Sequence, residues 1–118
     1  MSLVLDGTNG ITLPVGSQSN ASIVAWANFN ASGTLSASYN VTSVTKNSTG
    51  RWTLNFTNAL ADTNYATVYT PYEGASNGSI GFVGNTGSYT TTAVSVGCNQ
   101  ASNGAAYDST KNCVAVFR

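Results

Sequence analysis

Few side chains in this sequence can move a proton or attack a bond. There is no histidine, and the acids are Asp6, Asp62, Glu73 and Asp108. Without histidine, the Ser–His and Cys–His nucleophile pairs and the usual proton shuttle near neutral pH are missing. A glycosidase would need two of the four acids flanking one bond in a cleft. The inventory therefore argues for a protein that is not an enzyme, with neither hydrolase nor transferase activity. Asp6 sits in DGTNG, which lacks the alternating acids of a calcium loop, and the glycines never form a phosphate-binding pattern between a strand and a helix. Both read as turns. Cys98 and Cys113 fall short of any zinc ligand set, so neither metal nor cofactor is expected.

Binding chemistry has better material. The segment TPYEGASNGS, residues 70–79, carries Pro71 and several Gly and Asn residues that break a strand, and it places Tyr72 and Glu73 at a tip. The segment 99–112, NQASNGAAYDSTKN, reads as a loop long enough to be functional or mobile. Tyr107 is its large amphipathic side chain, and Gln100, Asn103 and Asp108 offer hydrogen bonds to a hydroxyl-rich receptor. A flexible tip is the competing reading of that loop, and packing against a neighbouring loop or subunit is the competing reading of Tyr72.

The elements that must hold these loops are strands. β-Branched residues, Asn, Ser and Gly dominate, and no window keeps an apolar stripe at helical spacing. Strands are expected over 23–29, 35–45, 51–57, 65–70, 79–83, 89–98 and 113–117, giving an all-β antiparallel sandwich or jelly-roll-like domain. Residues 47–50 supply a hairpin turn. Pairing Lys46 with Arg51 sets Val41 opposite Phe56, Ser43 opposite Leu54 and Thr45 opposite Trp52, with Tyr39 continuing that face, whereas a three-residue loop would align Val44 with Trp52. Either register puts Trp52, Leu54 and Phe56 on one core face. A last hairpin pairing Cys98 with Cys113, Val96 with Ala115 and Val94 with Phe117 would gather six side chains on one apolar face. The two sulfurs then read equally as a disulfide formed outside the cell or as two buried free thiols.

One domain fits 118 residues, with residues 1–20 as a leader or attachment segment, or as a first strand pair, ahead of a domain over 21–118. Four basic residues match four acids, and no cluster of either sign marks a phosphate backbone or an anionic membrane. No apolar run approaches membrane-spanning length, and the start lacks the features of a signal peptide. Asn-x-Ser/Thr sequons at Asn20, Asn30, Asn40, Asn47, Asn55 and Asn77 follow from a composition so rich in Asn, Ser and Thr. Zero net charge gives copies little mutual repulsion, which tolerates close self-association.

Residues 25–68 resemble a segment common near the distal ends of bacteriophage tail fibre proteins. The shared features are Trp26, Asn28 and Phe29 in a first strand, a turn at Gly33 and Thr34, Asn40, Val41, Thr42, Ser43 and Val44 in the next strand, and Gly50 in a turn. Asn55, Phe56 and Thr57 follow, with Asp62, Asn64 and Tyr65 at a corner. The leader SLVLDGTNGITLP is similar to the linker preceding such domains. The resemblance implies a virion protein assembled in a bacterial host: a tail-fibre homotrimer whose loops contact a host receptor or glycan, with other virion proteins as partners and no catalytic residues. A capsid decoration or other structural virion protein is the alternative, and a polysaccharide depolymerase the less favoured one.

Overall fold

The computed structural model describes residues 4–6, 10–12, 22–72, 78–84 and 89–118. Among the described residues ten strands appear in the order β1 (Val4–Asp6), β2 (Gly10–Thr12), β3 (Ile23–Phe29), β4 (Leu35–Tyr39), β5 (Val41–Ser48), β6 (Arg51–Phe56), β7 (Ala66–Tyr72), β8 (Ser79–Val83), β9 (Ala93–Gln100) and β10 (Lys111–Phe117). β1 and β2 form a two-stranded sheet of their own among the described residues. The other eight form two antiparallel sheets, in the orders β4-β3-β10-β7 and β5-β6-β9-β8. No helix occurs among the described residues.

Alternation of side chains along each strand builds the core between the sheets. Ala25, Ala27 and Phe29 enter it from β3, and Val114 and Val116 from β10. From the facing sheet come Trp52, Leu54 and Phe56 of β6 and Val94, Val96 and Cys98 of β9. Trp52 is fully buried. Its ring meets Phe29 edge to face at 5.7 Å, and its indole N–H donates to the Ala31 carbonyl at 3.1 Å. The core thereby fixes the β3–β4 turn.

The expected strand over 35–45 is broken. Asn40 adopts φ 53°, a left-handed conformation, and passes the chain from one sheet to the other between β4 and β5. Its amide donates to the Val24 carbonyl at 3.1 Å and the Asn58 carbonyl at 3.2 Å, while its oxygen accepts from the Asn58 N–H at 2.8 Å. Asn tolerates this conformation better than other non-glycine residues. Tyr39 consequently faces solvent on the first sheet rather than continuing the Val41 face.

The β5–β6 pairing also differs by one position through its middle. Val41 does oppose Phe56, but Ser43 opposes Asn55, Val44 opposes Leu54 and Lys46 opposes Trp52, with register shifts at both ends. These irregularities place Val41 and Val44, three apart, against the core.

The expected Cys98–Cys113 hairpin does not exist, because β9 and β10 belong to different sheets. The chain crosses between them through residues 101–110. Val114 and Val116 point inward, so Cys113, Ala115 and Phe117 lie on the outer face. Cys98 is buried and Cys113 exposed, and both are free thiols.

Candidate functional site

Strand direction divides the sandwich into two ends. At one end Ser22 and Arg118 exchange backbone hydrogen bonds at 3.1 and 3.0 Å, so the chain enters and leaves the sandwich side by side. Asp62 accepts from Arg118 there at 3.0 Å, and that bond holds its carboxyl below the usual range. Tyr65 packs beside Phe56 and Tyr89, and burial pushes its hydroxyl up to about 12.

The opposite end collects the β3–β4 turn, the β5–β6 turn, the end of β7, the start of β8 and the 101–110 connection. Tyr72 is paired with Lys111, and Ser79 with Gln100. Tyr72, Ser79 and the 101–110 connection therefore lie together at the end opposite Ser22 and Arg118. Pro71 does not break its ladder: it lies inside β7, an edge strand, where a missing N–H is tolerated.

The 101–110 connection is tightly folded. The Gln100 N–H donates to the Ala105 carbonyl at 2.7 Å, Gly104 to Gln100 at 2.9 Å and Tyr107 to Cys98 at 3.0 Å. The Asn103 side chain accepts from the Ala105 N–H at 2.9 Å, a local turn. Asp108 accepts from the Gly50 N–H at 2.7 Å through one oxygen and pairs with Lys46 through the other. Partial burial pushes its carboxyl up, but the Lys46 ammonium and the Gly50 N–H outweigh that and hold it below the usual range. Gly50, at φ 65°, lies directly beneath: a Cβ there would strike the Cys98 carbonyl and the Tyr107 backbone.

A buried polar network supports this end from within. The Asn112 amide donates to the Ser109 carbonyl at 3.1 Å and the Phe29 carbonyl at 3.4 Å, and its oxygen accepts from the Tyr69 hydroxyl at 2.7 Å. Ser109 donates to the Tyr72 carbonyl. Burial pushes the Tyr69 hydroxyl well above its ordinary value.

The sequence candidates therefore separate. Tyr72 is 59% exposed and Asn103 is exposed, so both are presented to solvent. Gln100 is half-buried. Tyr107 is half-buried and packs against the core, and Asp108 bonds the Gly50 N–H and Lys46. Glu73 lies outside the described residues. Asp62 and Asp108 sit at opposite ends of the sandwich, each paired with a cation. Sequence reasoning missed a second feature of the loop end, a hollow of about 310 Å³ lined by Asn28, Phe29, Asn30, Ser36, Thr110 and Lys111. Polar residues on three separate stretches carry no pattern in one dimension.

The outer face of the first sheet differs from the rest of the surface. Register places Tyr39, Trp26, Ala115 and Val68 in one row across all four strands. Trp26, Tyr39, Val68 and Tyr72 are all exposed on this face. A mostly apolar hollow of about 280 Å³ runs along it between Trp26, Val68 and Cys113. The second sheet instead turns outward a polar ladder over β5 and β6, in which Asn55 donates to Ser43 at 3.1 Å and Thr45 at 3.0 Å, while Ile80 is exposed on its β8 edge.

No family model, curated protein or solved structure matches the chain.

Proposed function

We propose that this protein is a virion fibre tip: a homotrimer of the bacteriophage tail-fibre type that contacts a host receptor or glycan through the loop end of its sandwich. The polarity of the fold carries the reading. Ser22 and Arg118 stand at one end, while Tyr72 and the 101–110 connection lie at the other. An attachment segment and a contact surface at opposite ends suit a protein that stands on a particle and reaches outward.

The row Tyr39, Trp26, Ala115 and Val68 supports self-association, since a contiguous exposed apolar patch marks a surface that packs against something. Zero net charge sets no electrostatic barrier against a second and third copy. Threefold display would raise weak single-site binding through avidity.

Adsorption of the labelled protein to host cells tests the reading. Tyr72→Ala, with the assembly unchanged, is expected to weaken adsorption severalfold, and replacement of Ser102, Asn103 and Gly104 by alanines to weaken it further. Unchanged adsorption in both variants removes the loop end from host contact and favours a capsid decoration protein.

A further inference from the structure

We infer that the hollow between the β3–β4 turn and the start of β10 is a binding site for an anionic saccharide, a sugar bearing a carboxylate or a phosphate. This rests on the host-contact reading and names the chemistry of the ligand.

The chain has four cations, and three of them are committed. Lys46 pairs with Asp108 and Arg118 with Asp62. Arg51 donates to the Gly50 and Cys98 carbonyls at 2.8 and 3.1 Å and lies over the Phe82 ring at 4.8 Å. Lys111 alone has no partner for its ammonium among the described residues, and it stands at the mouth of the polar hollow.

The neutral lining supplies what a lone cation lacks. Asn28, Ser36 and Thr110 bring an amide and two hydroxyls, groups that both donate and accept and so match sugar hydroxyls. A volume of about 310 Å³ lies at the small end of the range for small-molecule sites, and suits a single ring rather than an extended chain.

The walls are fixed before any ligand arrives. Asn30 closes the β3–β4 turn by accepting from the Ser32 and Thr34 N–H groups, each at 3.0 Å. Asn112 ties the Ser109 carbonyl to the end of β3, which sets the direction in which Thr110 and Lys111 leave the sheet. Such prior ordering lowers the cost of binding. The hollow opens at the loop end and shares Asn28 with the apolar face, so it stands at the rim of that face.

The test is a nitrogen-15 NMR titration of the full chain with glucuronic acid, glucose 1-phosphate and glucose at millimolar concentration. At least one anionic sugar is expected to shift the amides of Asn28, Ser36, Thr110 and Lys111, with glucose binding at least about tenfold more weakly, as loss of a charge-assisted hydrogen bond implies. The stronger of the two anions identifies carboxylate or phosphate as the natural group. Lys111→Met should abolish the preference for the charged sugar, and Lys111→Arg should retain it. Failure of both anions to shift these amides, equal binding of glucose, or an unchanged preference in Lys111→Met overturns the proposal. Wild-type protein that adsorbs to host cells but binds neither anion sinks this site alone, whereas protein that adsorbs to no host cell sinks the fibre reading.

Discussion

Asp108 shows how a polar residue that looks available in sequence is consumed by the fold. Its two oxygens hold the 101–110 connection on the β5–β6 turn through Gly50 and Lys46. Asp108→Ala leaves the Gly50 N–H without its acceptor and should cost about 1–2 kcal/mol, read as a lower urea midpoint with unchanged slope. Because the carboxyl is held below its ordinary value, its contribution is full above the unfolded value of about 3.9 and is lost as pH falls through the folded value. Amide protection of Tyr107 is expected to stay flat from neutral pH down to about 4 and to drop below that. A drop centred between about pH 5 and 7 would contradict the assignment. Gly50→Ala combines a strained left-handed alanine with a collision against Cys98 and Tyr107. It should cost about 2–4 kcal/mol by denaturant unfolding. Neither role was visible in the sequence, where Asp108 and Tyr107 read as solvent-facing because nothing local shows that Gly50 lies beneath them.

At the scale of elements, the strand spans were largely legible while their partners were not. β3 and β8 fall where the alternation of apolar and polar residues put them, and Trp52, Leu54 and Phe56 share the core face as expected. Asn40 was hidden because alternation runs through it, although the chain changes sheets there. The run Cys113 to Phe117 is apolar at nearly every position, so alternation cannot say which side faces inward, and the expected parity was off by one. Strands in facing sheets bury the same kind of side chain as strands in one hairpin, which is why β9 and β10 looked like neighbours. Asn40 offers the direct test of the crossing. Asn40→Ala gives up three side-chain hydrogen bonds and strains the left-handed backbone, and should cost about 2–4 kcal/mol. Asn40→Gly relieves the strain and should be the milder change in the same unfolding measurement.

For the whole molecule, the decisive feature is the contrast between the two outer faces. Over β5 and β6 the second sheet presents hydroxyls and amides that bond one another, with Ile80 exposed on its β8 edge, whereas the first presents Trp26, Tyr39 and Val68 to solvent. In the sequence these three belong to different strands, and only the observed register brings them into a row. Val68 is 56% exposed, so Val68→Asp should leave the isolated fold within about 0.5 kcal/mol of wild type. The same change places a charge at the β7 end of the apolar row and is expected to dissociate the assembly. The measurement that bears most directly on the fibre-tip account is the mass in solution by light scattering at micromolar concentration. The account predicts about three times the 12.1 kDa of one chain for the wild type and a single chain mass for Val68→Asp with its β-type circular dichroism retained. A wild-type protein that scatters as a 12.1 kDa monomer at that concentration would contradict it.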